Sequence, residues 1–551
     1  MKTEIENLVK TTINDLYGLN IVVNLLKGDP KFGDFSTNVA LKLASELKKP
    51  PFEIAGQIAE VIKNKTQDLL EEVTTSMPGF VNFKLADAKL LGNDYLKPRS
   101  TYLDKKLVIE TNNPNPFKAM HIGHALNAVV GDSLANILEF GGGNVHRVSY
   151  HGDVGSHVGK SMWAVLNFIN GDVDKLNQIP LESHNAFMSE MYAKGAKAYD
   201  EDETIKKEII ELTNKSYELE DDLYKQVYLI CKEWSFSHLQ SILSQLGSKS
   251  VERQYLESEC EPIGVQLVKD NLNKYFFESE GAVVFHGEEY GLFTAVFISS
   301  TGRGLYAARD LGLIKLKQQD FSPDNIFIVT ANEQKDYFKL IIKASQLIGL
   351  IKDGEMENIN TGVIKLASGK MSSRQGKVVE ISWLIDMVRQ EFNKYSDTTD
   401  DKLITGAIRY QLLKVRLGSD IVFDIEQSVS LQGNSGPYLM YAHARARSII
   451  AKAGNEVDID FKNFEYDDKE RELAVKLFDY DSVLDLAVEE LKPHYVCNYL
   501  YELCQTFNSF YEHSPVINSD RKNLRLTLVN QYAEVLKHGL NLLGIYAPDK
   551  M

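Results

Sequence analysis

One stretch, "KKLVIETNNPNPFKAMHIGHALNAVVGDSLANILEFGGGNVHRVSY" from Lys105 to Tyr150, limits the fold more than any other part of the chain. It opens on a β-prone run, residues 106 to 111, and then breaks at Pro114 and Pro116. From about His121 the apolar residues Ile122, Ala125, Leu126, Val129, Leu134 and Leu138 recur at helical spacing, until Gly141-Gly142-Gly143 stops the pattern. "NVHRVSY" supplies a second strand. Strand, loop, helix and strand in this order make one βαβ unit, which needs a parallel sheet. The loop after the first strand is where such sheets bind ligands. Neither the GxGxxG of dinucleotide enzymes nor a GxxxxGK[ST] phosphate loop follows that strand, which disfavours both classes.

What the loop does carry is His121-Ile122-Gly123-His124 at the helix start. Free N–H groups and the positive end of the dipole attract an anion there. Histidines three apart share a helix face and can donate to the same phosphate, while Gly123 lets a flat base approach the backbone. A second phosphate-seeking element lies downstream in "ASGKMSSRQGK". Lys370, Met371, Ser372, Ser373 and Arg374, bracketed by Gly369 and Gly376, read as a loop that closes over a triphosphate. Its cations would stabilise charge on leaving pyrophosphate. Neither element is specific alone; together in an α/β domain they point to nucleotidyl transfer.

The remaining sequence must be organised around this unit. A length of 551 residues predicts two to four domains. Residues 1–95 alternate helical runs with a loop, with helices expected over 36–47 and from Pro51. Residues 96–395 alternate strands ("KKLVIET", "NVHRVSY", "AVVFHG", "FTAVFIS", "NIFIVTA") with helices, predicting a mostly parallel sheet interrupted by a charged helical insertion at about 160–250. Residues 396–551 read as helices only, a bundle in which Val496, Leu500, Leu503 and Phe507 share one face. No window is long and apolar enough for a membrane span, and the N-terminus has neither signal nor transit character, so a cytoplasmic location is expected. The four cysteines form no CxxC pair and read as core residues, with no bound metal. The net charge of −16 lowers the expectation of a nucleic-acid partner, but local basic grooves can act against the average.

HIGH followed by KMSSR resembles the signature pair of the class I aminoacyl-tRNA synthetases, and further stretches narrow the resemblance to arginyl-tRNA synthetases. "FGDFSTNVALKLA" is similar to their N-terminal additional domain, "ETNNPNPFKAMHIGH" to the catalytic entry, "LYAARDLGLIK" to the substrate helix, and "SLQGNSGPYLMYAHARARSI" to the junction into the anticodon-binding domain. The resemblance spans nearly the whole chain. It implies an α/β fold: a class I Rossmann-like catalytic domain with a mostly parallel sheet, an N-terminal α+β additional domain, and a C-terminal all-α bundle. It also implies ATP-dependent activation of L-arginine and transfer to tRNA(Arg), with ATP arriving as its Mg2+ complex, no protein-bound metal, no membrane, and a monomeric enzyme.

For the sites, the resemblance implies that Tyr306 and Asp310, four apart on one helix face, address the guanidinium, a group that needs anionic, acceptor-rich partners. Glu257 is a second acidic candidate, with Glu259 a rival for the same place. Glu110, Asn113, Asn115 and Gln334 would meet the α-amino and carboxylate end; asparagine at 113 departs from the serine more common in the family. Lys118 is placed to reach ATP phosphate, but the retained Lys370 keeps the direct pyrophosphate role available to itself, which gives Lys118 less weight as a substitute. Asn38 is the candidate contact to the D-loop corner of tRNA. Tyr438, Tyr441, Arg445 and Arg447 are candidates for the anticodon loop, or else bundle core and solvated surface. Two rivals stand beside this reading, another HIGH-bearing nucleotidyltransferase and a tRNA-binding paralogue without catalysis. Substrate-dependent adenylate formation separates them. A site built for a guanidinium needs no editing domain, since it rejects analogues by ~10⁴-fold or more.

Overall fold

The computed structural model describes residues 2–28, 31–65, 69–91, 96–367, 379–395, 400–454 and 464–551. Its centre is a five-stranded sheet. Strand Lys106–Asn112 lies in the middle, flanked by Asn144–His151 and then Arg253–Leu256 on one side, and by Asn325–Ala331 and then Met356–Thr361 on the other. Every pairing is parallel. The order reverses direction at the central strand, so the crevice beyond its carboxyl end is the natural ligand site.

Helix Ile122–Phe140 starts in that crevice and is buried along nearly its whole length. Such burial on all sides follows from its position between the sheet and the C-terminal bundle. Gly131 makes the sheet contact possible: a Cβ there would lie 2.6 Å from the Thr111 carbonyl oxygen. On the bundle side, Ser133 Oγ donates to the Leu542 carbonyl (3.1 Å) and Asp132 Oδ2 accepts from Arg409 Nη2 (2.8 Å). Arg409 is fully buried and also donates to the carbonyls of Leu543 (2.8 Å) and Leu246 (2.9 Å). A buried ion pair persists only when its remaining donors are satisfied, as here. Gly544, at φ +68°, passes so close to this guanidinium that a Cβ would stand 2.1 Å from Nη2. The helix that bears the two histidines is thus tied to the end of the chain.

Several expectations need correction. The runs at 282–285 and 295–298 do not join the parallel sheet; with Phe277–Ser279 they form a separate three-stranded antiparallel sheet. Turns at Glu280-Gly281 and Gly291 connect these runs directly, and a direct hairpin cannot make a parallel crossover. Beyond residue 400 the chain is not helical throughout: Ile421–Phe423 pairs in parallel with Ile364–Leu366. Near the N-terminus, Phe35–Thr37 is a strand, so the helix begins at Val39 and not at Ser36. That strand belongs to a four-stranded antiparallel sheet covered by helices Val39–Leu47 and Pro51–Lys65, with helix Lys2–Tyr17 packed on the latter. The insertion is helical as expected, from Ser156–Ile169 to Asp222–Gln245, with an apolar core of its own. All four cysteines are buried thiols.

Candidate active site

The crevice beyond strand 106–112 opens into a cavity of about 540 Å³. It gathers residues from widely separated segments: Glu110, Asn113 and Asn115 after the central strand, His121, Gly123 and His124 at the helix start, Glu257, Tyr306 and Asp310, and Gln334. Lys118 is not in the cavity wall but is half-buried close behind it. Burial pushes its ammonium below the usual lysine range, with Glu257 opposing.

The two histidine rings stack at 3.5 Å between centroids. His121 caps the helix, its Nδ1 accepting from the His124 amide (3.3 Å), which fixes the neutral tautomer with its proton on Nε2. Burial, reinforced by Lys118, lowers His121 to about 4. Burial likewise holds His124 well below the ordinary range, with His121 and Lys118 adding to the effect. Both imidazoles are therefore neutral hydrogen-bond donors at pH 7, and the site's positive potential comes from the helix N-terminus and the lysines. A Cβ at 123 would touch the His121 ring at 3.1 Å, so glycine there keeps the stacked pair in place.

Lys370, Met371, Ser372 and Ser373 lie outside the described residues. The chain that follows them returns to the histidines. The Val379 carbonyl accepts from Ile122 N (2.9 Å), and Ile381 N donates to the Met120 carbonyl (3.0 Å).

Four carboxylates line the cavity, and their partners distinguish them. Glu110 accepts from the fully buried Lys317 Nζ (2.7 Å). Glu257 accepts from Arg309 Nη1 (2.6 Å), and Arg309 also donates to Tyr217 Oη (2.8 Å), bringing the insertion to the pocket wall. Glu333 is exposed at the rim. Asp310 forms no ion pair among the described residues; its Oδ2 accepts a short hydrogen bond from the Tyr337 hydroxyl. Burial pushes Asp310 up to about 7, with Glu110 and Glu257 adding repulsion and Tyr337 opposing. A carboxylate raised in this way gains most from an incoming cation. Tyr306 is 68% exposed at the mouth, with the Arg309 guanidinium 5.4 Å from its ring centroid.

Of the rivals at 257 and 259, only Glu257 faces the cavity. Glu259 accepts from Arg253 Nη2 (2.9 Å) and from Leu256 N (3.2 Å) instead. Asn115 Oδ1 accepts from Gly152 N (3.1 Å), so that asparagine shapes the loop as well as lining it. The distal candidates lie elsewhere. Asn38 is half-buried, preceding helix 39–47. Tyr438 is built into the bundle, its oxygen accepting from Asn508 Nδ2 (2.8 Å) and its ring edge meeting Tyr501. Tyr441 is 43% exposed, Arg445 lies over the Tyr511 ring (4.6 Å), and Arg447 pairs with Asp549 (3.1 Å).

Sequence reasoning did not single out Tyr337, Arg309, Lys317 or Tyr150, which also lines the cavity. Lys317 left a trace: it stands seven after Asp310, two turns along the same helix face, inside an apolar run. Tyr337 left none, because only the fold brings helix Lys335–Leu347 against Asp310.

Three family models together match most of the chain. "Arginyl tRNA synthetase N terminal domain" matches residues 3–85, "tRNA synthetases class I (R), catalytic domain" residues 87–420, and "DALR anticodon binding domain" residues 439–551. The arginine–tRNA ligase of Shewanella amazonensis is 30% identical, with each chain covered at 100%; that of a Picosynechococcus species is 28% identical, with 100% of this chain and 99% of the relative covered. Among solved structures, the arginyl-tRNA synthetase of Thermus thermophilus superposes with a TM-score of 0.81 over 100% of both chains, at 23% identity, which bears on the fold. A parallel sheet with histidines at the switch-point helix, an acidic pocket beside them, and full-length relatives of one kind lead to a single conclusion: this chain belongs to the class I arginyl-tRNA synthetases.

Proposed function

We propose that the cavity holds L-arginine with its guanidinium against Asp310, flanked by Tyr306 and Glu257, and its α-amino and carboxylate groups among Glu110, Asn113, Asn115 and Gln334. The observation that carries this reading is that Asp310 is the one deep carboxylate of the cavity without a protein cation among the described residues. The reaction is ATP-dependent ligation of arginine to tRNA, in two steps. A carboxylate oxygen of arginine attacks the α-phosphorus of ATP, and the bond to the bridging oxygen breaks, so that pyrophosphate leaves with the electron pair. A ribose hydroxyl at the tRNA 3′ end then attacks the carbonyl carbon of the adenylate, and AMP leaves.

His121 and His124 donate to the phosphates as neutral imidazoles, Gly123 admits the adenine, and Lys118 adds positive charge. Lys370, with Met371, Ser372 and Ser373, closes on the β- and γ-phosphates, and Mg2+ accompanies the nucleotide. Interactions aimed at charge that develops in the transition state are worth most in such a dry site. Asn38 meets the outer corner of tRNA, and Tyr441 and Arg445 the anticodon loop, with Tyr438 supporting them from the bundle. The enzyme acts as a cytoplasmic monomer. No described helix is long and apolar enough to cross a membrane.

Charging of bulk tRNA with each of the twenty amino acids tests this function. Arginine alone should be transferred, and only with ATP. Transfer of another amino acid would overturn the guanidinium assignment, and tRNA retention without any charging would favour a binding paralogue.

A further inference from the structure

The helical insertion reaches the pocket wall at Tyr217, and the way Arg309 divides its hydrogen bonds gives that contact a purpose. Arg309 and Glu257 are both buried. A guanidinium beside a carboxylate frequently clasps it with two parallel N–H bonds. Here the clasp is single. Arg309 Nη1 donates to Glu257 Oε2 (2.6 Å), while Nε donates to the Gly304 carbonyl (3.1 Å) and Nη2 to the Tyr217 hydroxyl (2.8 Å). Two acceptors outside the ion pair thus occupy the other sides of the fork. Glu257 Oε1 is left with no hydrogen bond among the described residues. It lies on the cavity side, since a Cβ built on Gly152, itself part of the cavity wall, would stand 3.2 Å from it.

Tyr217 is itself fixed from both sides. It sits in the last turn of helix Glu203–Glu218. Ser216, before it, accepts from Gly155 N (3.3 Å). Glu218, after it, pairs with Arg303 (2.5 Å), whose guanidinium also lies over the Tyr217 ring (4.9 Å). Burial raises the Tyr217 phenol above its ordinary range, so it stays a neutral acceptor for Arg309 at physiological pH. We infer that Tyr217 is a positioning residue for the arginine pocket: by taking Arg309 Nη2 it keeps that guanidinium from closing on both oxygens of Glu257, and so reserves Oε1 as an acceptor for an N–H of the substrate guanidinium. Arg309 still neutralises the charge of Glu257; what Tyr217 preserves is an acceptor in a fixed place. This rests on the arginine pocket proposed above and gives the insertion a part in it.

Tyr217→Phe removes only the hydroxyl and frees Arg309 to turn Nη2 onto Glu257 Oε1. The KM for arginine in ATP–pyrophosphate exchange with tRNA present should rise roughly 10-fold, the lower end for a hydrogen bond to a charged group, with the KM for ATP within about twofold of wild type. Glu257→Gln and the double variant complete a cycle. Glu257→Gln should raise the KM for arginine by itself, and Tyr217→Phe should add less than about twofold in that background. If Glu257→Gln raises the KM while Tyr217→Phe leaves it at the wild-type value, the pocket stands and the role of Tyr217 is overturned. An effect of Tyr217→Phe as large in the Glu257→Gln background as in wild type would also overturn it, because the hydroxyl would then act on something other than Glu257. If Glu257→Gln leaves the KM unchanged, Glu257 has no part in the pocket and the inference falls with that part of the reading. Equal rises in both KM values with a lower melting temperature would mark a structural role and overturn it.

Discussion

Asp310→Asn is expected to lower kcat/KM for arginine on the order of 10³-fold while leaving the KM for ATP within a few-fold of wild type. The substitution keeps the shape and one acceptor oxygen but removes the charge. Glu110 and Glu257 cannot replace it, because Lys317 and Arg309 already neutralise them. The variant would then keep only Glu333 at the exposed rim without a cation partner and would bring no deep unpaired anion to the guanidinium, and a buried cation without one is costly. The loss should fall mainly on KM, since the guanidinium is remote from the reacting carboxyl and is bound alike in the ground and transition states. Steady-state pyrophosphate exchange over a wide arginine range separates the two parameters. A variant with an unchanged KM for arginine would place the guanidinium elsewhere.

The second large effect belongs to the chemical step. His124→Ala is expected to slow adenylate formation by roughly 10²- to 10³-fold, with the KM for arginine little changed. Its ring is stacked on His121 in a buried pair, and both imidazoles are neutral across the physiological range, since His121 lies at about 4 and His124 is lowered further than the ordinary value. On the proposed reading they serve as fixed donors to a phosphate whose charge grows as pyrophosphate departs, and not as proton carriers. The sign of the pH response follows. Acidifying from pH 8 to 6 should bring in no histidine titration in kcat for adenylate formation, because neither ring gains a proton in that interval. Single-turnover adenylate formation across that range, in wild type and variant, checks both statements.

Much of this was legible in the sequence because the local signals were long and consistent. The 106–150 stretch combines a β-prone run, a proline break, helical apolar spacing and a glycine stop, and the fold follows it within a residue or two. The C-terminal helix Pro493–His513 was equally plain, with its predicted face of Val496, Leu500, Leu503 and Phe507 buried. Short strands were not. "AVVFHG" and "FTAVFIS" have the same β-branched character as "NIFIVTA", and only the hairpin connections assign them to a different sheet. Ile421–Phe423 is three residues long, and its partner strand lies far away in sequence. In the site, the residues with a motif around them (His121, His124, Tyr306, Asp310) converge on one cavity. Those that give the carboxylates distinct roles were hidden, because Arg309, Lys317 and Tyr337 act through contacts between elements that no local pattern encodes. The choice between Glu257 and Glu259 likewise depends on which way a helix start faces the sheet.

The most direct test of the account is arginine affinity as a function of pH, measured by calorimetry on wild type and on Asp310→Asn between pH 5.5 and 8. In the free protein burial pushes Asp310 up to about 7, and on the proposed reading a guanidinium, which does not titrate here, binds the ionised carboxylate. Protons and arginine therefore compete. Wild-type affinity should level off above pH 7 and weaken as pH falls through it, approaching tenfold per unit, while the variant binds weakly and without that slope. A wild-type affinity that is flat across the range, or a slope that persists in Asp310→Asn, would contradict the claim that this carboxylate reads the substrate.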